Sequence, residues 1–142
     1  MKIERSALVS HSAKQMFKLV QDVPSYPEFL SWCTAADVLE QSEQTQKASL
    51  TVSVAGINQH LTTENTLREG EYVSMKLLEG PFKDLYGEWV FSQLGEDGSR
   101  VSLKLDFEMT SGFVAKMFGK GFGRIADRLV DDFCKRADEV YQ

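Results

Sequence analysis

The 142-residue chain carries 16 lysines and arginines against 21 aspartates and glutamates, a formal charge of -5, and is 42% hydrophobic and 26% charged. This is the composition of one ordinary globular core, and it excludes a chain-wide attraction to DNA, which needs positive potential. Cys33 and Cys134 are too few for a disulfide scaffold and stand in no metal-ligand spacing, and no apolar run reaches the roughly 20 residues of a membrane span.

The opening stretch, Met1 to Lys14, has no apolar block of the secretory kind, so a cytoplasmic, single-domain protein over residues 1–142 is expected. Ile3, Ala7, Leu8 and Val9 suit a strand over Lys2 to Val9. Ser12 and Gln15 form a capping box, and Met16, Phe17, Leu19 and Val20 supply the apolar stripe of a short helix from Ala13 to Gln21. Pro24 and Pro27 cannot continue it, which makes Asp22 to Trp32 an aromatic-rich loop or a second short helix.

From Asp37 the period changes to two. Leu50, Val52 and Val54 alternate with polar neighbours, as do Val101, Leu103, Leu105, Phe107 and Met109. Between them lie the more polar run Gln59 to Leu67, then Val73, Met75 and Leu77, then Leu85, Trp89 and Phe91. Turns are expected at Gly56-Ile57-Asn58, Glu69-Gly70, Gly80-Pro81 and Glu96-Asp97-Gly98. Short turns imply an antiparallel meander of about six strands after the first helix, with the first strand added at an edge or closing the sheet. From Gly112 to Tyr141 the period returns to 3.6, with Phe118, Phe122, Ile125, Leu129 and Phe133 on one face, joined by Ala126, Val130, Ala137 and Val140.

These elements predict an α+β fold in which a curved antiparallel sheet of about seven strands wraps one long C-terminal helix, with a short helical region near the N-terminus. A straight cylinder does not match a curved sheet along its whole length, so large side chains must fill the gap or leave a cavity. The residues expected there are Phe29, Trp32, Met75, Phe82, Trp89, Phe91, Phe107, Met117, Phe118 and Phe122. A filled core and a pocket for an apolar molecule remain alternative readings of that set.

The stretch Val20-Gln21-Asp22-Val23-Pro24-Ser25-Tyr26-Pro27-Glu28-Phe29-Leu30-Ser31-Trp32-Cys33 resembles the hallmark of the coenzyme Q-binding, START-like family of the polyketide cyclase group, one bacterial branch of which comprises ribosome association toxins. Gly80-Pro81-Phe82, Gly87-Glu88-Trp89, Asp132-Phe133 and Arg136-Ala137 extend the resemblance over nearly the whole chain. It implies a helix-grip fold with an apolar tunnel, no catalytic residues, no obligatory cofactor, and ubiquinone or another polyprenyl lipid as ligand in support of respiration. It also implies, alternatively, a partner in the large ribosomal subunit, with subunit joining blocked, and a transient contact with membranes. A quinone head needs one or two donors in an apolar wall, and Tyr26, Tyr72, Tyr86, His60 and Trp32 are the candidates. Tyr26, Pro27 and Phe29 form either a rim over the cavity or a rigid loop packed on the sheet.

Lys116, Lys120, Arg124 and Arg128 recur every fourth residue along the last helix, reading either as a solvated face or as a docking stripe for phosphate, whether of ribosomal RNA or of lipid head groups. Gly119-Lys120-Gly121-Phe122-Gly123 lacks the spacing of either nucleotide fingerprint. Its glycines are expected to bend the helix or to admit close contact, with Gly121 a candidate hinge. His11 and His60 stand in no recognisable acid, base or nucleophile pattern, so an enzyme is not expected. A cyclase-like activity stays as a third alternative, because it needs little more than a shaped pocket.

Overall fold

The computed structural model describes residues 1–141. Seven strands, β1 (Lys2–Val9), β2 (Cys33–Gln41), β3 (Thr45–Val54), β4 (Ile57–Arg68), β5 (Tyr72–Glu79), β6 (Phe82–Leu94) and β7 (Gly98–Met109), form one antiparallel sheet in the order β1-β7-β6-β5-β4-β3-β2. Helix α1 (Ala13–Gln21) and a 3₁₀ helix (Val23–Glu28) bridge β1 to β2, and helix α2 (Phe113–Val140) closes the chain. The meander follows the sequence reading, and of the two places open to β1 it takes the edge rather than closing the sheet. Helix α2 lies close to β1 and β7 at one side of the sheet and to β3 near the other, so the sheet curls around it in the helix-grip manner.

Two turns fall one or two residues before their expected place. Val54 pairs with Ile57, leaving Ala55 and Gly56 as a two-residue connection with φ of 50° and 78°. Positive φ at both central positions is the type I′ requirement, and this geometry matches the twist of the flanking strands. Gly98 likewise opens β7, and the left-handed residue of that turn is Gly95, at φ 67°.

The inner face of the sheet and the inner face of α2 make two apolar clusters. One gathers Met16, Phe17, Val20, Tyr26, Leu30, Trp89, Phe91, Val130 and Phe133, and the other gathers Ile3, Val52, Leu61, Phe82, Leu85, Leu105, Phe107, Phe118, Phe122 and Ala126. Trp32 and Leu50 touch both. Helix α1 starts with the capping box, in which Ser12 Oγ accepts from Gln15 N at 3.1 Å while Ser12 N donates to Gln15 Oε1 at 2.9 Å. Its Ala13 N donates to Gln93 Oε1 at 2.8 Å, and Tyr141 Oη donates to Gln15 O at 3.1 Å, fixing the helix between β6 and the end of α2.

One inward-facing polar group sits at the far edge of the first cluster. Gln46 and Asn65, paired across β3 and β4, are both buried. Gln46 Nε2 donates to Gln21 O at 2.8 Å and to Gln41 Oε1 at 3.1 Å. Asn65 Nδ2 donates to Gln46 Oε1 at 2.9 Å, and Thr63 Oγ1 donates to Asn65 Oδ1 at 2.8 Å. Buried amides are tolerated when bonded in this way, because an unpaired one costs about 1–3 kcal/mol.

Candidate functional site

The aromatic residues expected to line a cavity pack against one another. Phe82 lies 4.9 Å from Phe122 and 6.0 Å from Phe107 between ring centroids, and Phe107 lies 5.0 Å from Phe122, all at steep interplanar angles. Phe118 joins this group at 5.9 Å from Phe122 and 6.1 Å from Phe82. Edge-to-face pairs at these separations are favourable beyond the area they bury. The middle of the sheet–helix interface is therefore occupied by side chains. Trp89 and Phe91 stack at 6.4 Å on the other side of the seam, with Trp89 5.1 Å from Phe133.

The hallmark loop is latched to α2 as well as lying against the sheet. Tyr26 and Phe29 flank Phe133 at 5.4 and 5.2 Å, the Arg136 guanidinium sits 5.1 Å from the Phe29 ring centroid, and Arg136 Nη2 pairs with Glu28 Oε1 at 3.2 Å. Phe133, not counted among the site residues from sequence, is the hub of this contact. Its position in the inward stripe of the last helix is the signal that could have marked it.

Two of the residues expected to line the pocket point away from it. Met117 is 41% exposed, because at 100° per residue it stands well around the helix from Phe118, which takes the inward position. Pro27 is exposed at the outer side of the 3₁₀ helix, where its missing amide donor costs nothing. Met75 is half-buried, and its methyl stands where a Cβ on Gly87 would fall, at 2.6 Å.

Of the five candidate hydrogen-bond donors, four are occupied or turned outward. Tyr26 Oη donates to Val20 O, and burial holds its phenol well above the ordinary range. His60 Nδ1 contacts Thr51 Oγ1 at 2.8 Å on the outer face, Tyr86 Oη donates to Glu88 there at 3.3 Å, and Tyr72 is a half-buried residue paired with Val90 at one end of β5. The fifth differs. Among the described residues, Trp32 Nε1 is buried with no hydrogen-bond partner. Trp32 stands at the seam of the two clusters, with its own carbonyl accepting from Ser53 N at 2.8 Å.

The three glycines of α2 admit close contact, and the helix stays unbroken from Phe113 to Val140. A Cβ on Gly121 would lie 1.8 Å from Val54 Cγ1, and one on Gly119 would lie 2.6 Å from Met109 Cγ. Beside Gly119 a groove of about 720 Å³ opens to solvent at the N-terminal end of α2, walled by Phe107, Met109 and Phe113, with Lys116 and Lys120 on its rim. Lys116, Lys120, Arg124 and Arg128 are all exposed, and none has a carboxylate within 4.0 Å among the described residues. His11 Nε2 lies 2.8 Å from Asp138 Oδ1, and burial pushes the thiols of Cys33 and Cys134 up to about 11.

The chain matches the model of the family described as polyketide cyclase / dehydrase and lipid transport over residues 9–134. It is 48% identical to the ribosome association toxin RatA of Vibrio cholerae over 139 residues, covering 98% of this chain and 96% of that protein. A mitochondrial coenzyme Q-binding protein COQ10 of Dictyostelium discoideum is 23% identical, covering 97% of this chain and 69% of that one. The crystal structure of the Zhui aromatase/cyclase from a Streptomyces species superposes with a TM-score of 0.87 at 18% identity, over 100% of this chain and 96% of that chain. At that identity the match speaks for the fold alone.

Proposed function

The chain belongs to the polyketide cyclase / dehydrase and lipid transport family, and from that premise we propose that it is a non-enzymatic, ribosome-associating protein of the cytoplasm that docks on the large subunit through α2 and hinders subunit joining. The observation that carries this reading is the row Lys116, Lys120, Arg124 and Arg128, exposed and without ion-pair partners among the described residues, in a chain of net charge -5. A local cationic face on an acidic protein selects a defined site on a polyanion, where a cationic chain would coat it indiscriminately. The name borne by the relative at 48% identity, a ribosome association toxin, supports the choice of the ribosome as the bearer of that polyanion. If all four cations displace counterions from phosphate, affinity falls by about a hundredfold between 50 and 200 mM salt. Sedimentation with ribosomal subunits on gradients at several salt concentrations tests this. The protein is expected in the large-subunit fractions at low salt, and K116E/K120E is expected to leave them. Equal sedimentation of that variant would refute the docking face.

A second reading has its own support: an apolar guest, a polyprenyl quinone by class, held at the seam of the two core clusters with a carbonyl accepting from Trp32 Nε1. The buried, partnerless indole is the observation behind it, together with the coenzyme Q-binding description of the more distant relative. A guest there would have to part the aromatic pairs that fill the interface. Native mass spectrometry of the purified protein checks the reading, and a spectrum with the bare chain mass alone, at every gentle desolvation setting, would count against it.

A further inference from the structure

The outer side of α2 changes character along its length. From Phe113 to Arg124 its charged residues are Lys116, Lys120 and Arg124, all basic, whereas from Ile125 onward Asp127, Asp131 and Asp138 stand on the same outward side together with Arg128 and Lys135. Three large apolar side chains stand in solvent within the basic section, Phe113 at 79%, Val114 at 54% and Met117 at 41% exposure. At 100° per residue, Phe113, Lys116, Met117, Lys120 and Arg124 share an arc of about 100°, so aromatic and cationic groups interleave on one surface. The apolar groove walled by Phe107, Met109 and Phe113 opens beside them, and Glu108 is the one carboxylate in its lining.

We propose that this end of the molecule is a docking surface for an anionic phospholipid bilayer, with an acyl chain received in the groove and Lys116, Lys120 and Arg124 among the head groups. Charge alone does not separate a bilayer from RNA, because both present phosphate. The apolar component does. Exposed Phe113, Val114 and Met117 gain nothing from a hydrated phosphate backbone, yet they gain apolar burial at the head-group boundary, where aromatic and aliphatic side chains sink and lysine stems extend upward. The groove volume of about 720 Å³ falls in the usual range of lipid-sized and drug-sized sites. Glycine at 119 keeps its floor open, since a Cβ there would collide with Met109. The second half of α2 carries five carboxylates, Asp127, Asp131, Asp132, Asp138 and Glu139, against Arg128, Lys135 and Arg136, and this net negative charge is repelled by the same membrane, so the molecule stands on the tip of its helix rather than lying along it.

Flotation of the full chain with vesicles tests the inference, using phosphatidylcholine alone and phosphatidylcholine mixed with phosphatidylglycerol. Binding is expected only to the mixed vesicles and is expected to weaken with salt over the range in which the Debye length shrinks below about 10 Å. F113S/V114S, at two exposed positions that leave the core untouched, is expected to lower partitioning roughly tenfold with an unchanged circular dichroism melt. K116E/K120E is expected to lower it at least as far. No flotation with mixed vesicles at low salt, or undiminished flotation of F113S/V114S, would overturn the proposal. Ribosome sedimentation of the same variants keeps the two functions apart. If F113S/V114S stays with ribosomes while leaving vesicles, the inference stands. If it leaves ribosomes while keeping its vesicle binding, the apolar residues belong to nucleic acid and the inference falls. Failure of the wild-type chain to meet ribosomes strikes the proposed function alone.

Discussion

Replacing Gly121 by alanine sets two known effects against each other. Inside a helix, alanine is favoured over glycine by about 1 kcal/mol, so the change alone would stabilise α2. The structure opposes that gain, because the new Cβ would lie 1.8 Å from Val54 Cγ1 and 3.2 Å from Val54 Cβ, far inside any real contact. Relief requires either a turn of the Val54 side chain or withdrawal of the β3–β4 hairpin from α2, and overpacking of this kind costs about 1–3 kcal/mol. The net expectation is a loss of roughly 1–2 kcal/mol for G121A, read as a lower midpoint in urea with the slope unchanged. V54A should relieve the collision, so the double variant G121A/V54A should be more stable than the two single losses added together, by about 1–2 kcal/mol. A G121A protein as stable as wild type, or a double variant showing simple additivity, would refute the geometry. It would also return Gly121 to the role of a hinge with no packing duty.

W32F removes the buried indole donor while keeping an aromatic ring. Because an unpaired buried donor costs about 1–3 kcal/mol, this relief should offset the lost packing and leave stability within about 1 kcal/mol of wild type by urea titration. A loss above about 3 kcal/mol would mean that Nε1 has a bonding partner in solution. The two thiols should resist modification: with Cys33 and Cys134 pushed up from 9.0 to about 11, thiolate at pH 8 is about a hundredfold scarcer than in the unfolded chain. The folded chain holds those protons the more tightly, so the stability this contributes is complete below pH 9 and is lost as pH rises through 11. Equal rates of alkylation for native and urea-unfolded protein at pH 8 would contradict the burial. S12A, which deletes one half of the capping box, should cost about 0.5–2 kcal/mol in thermal or urea unfolding, and a neutral result would mean that α1 is held only by its tertiary contacts.

The order of elements was legible because the apolar period switches cleanly, from 3.6 in Ala13 to Gln21 to two in Leu50 to Val54 and in Val101 to Met109, and back to 3.6 after Gly112. Prolines 24 and 27 marked the break that became the 3₁₀ helix. What escaped was local geometry that depends on partners. Ala55 takes a positive φ that composition would have assigned to glycine or asparagine, so the hairpin turn was placed too late. The run Gln59 to Leu67 read as merely polar, although Thr63 and Asn65 face inward, because Thr63 bonds to Asn65 and Asn65 to Gln46 on β3, a partner invisible in a single strand. At the site, the set of aromatic residues was recognisable, yet spacing could not say whether they would line a space or fill it. That depends on mutual distances such as the 4.9 Å between Phe82 and Phe122. Met117 was misplaced because its helix is apolar on more than its buried stripe near the N-terminal end, the same excess that leaves Phe113 and Val114 in water.

The chain of amides through Gln41, Gln46, Asn65 and Thr63 has a consequence for how the meander assembles. Apolar alternation by itself tolerates a shift of β3 against β4 by two residues, since valine meets leucine again at little penalty. With the amides in place, such a shift would strand Gln46 and Asn65 beside aliphatic neighbours and break the hydrogen bond to the end of α1. A shift by one would turn the slipped strand over, bringing Lys47 inward if β3 moves or Glu64 if β4 does. The polar rung thus works as a key cut for a single lock, selecting one alignment of strands beneath the long helix.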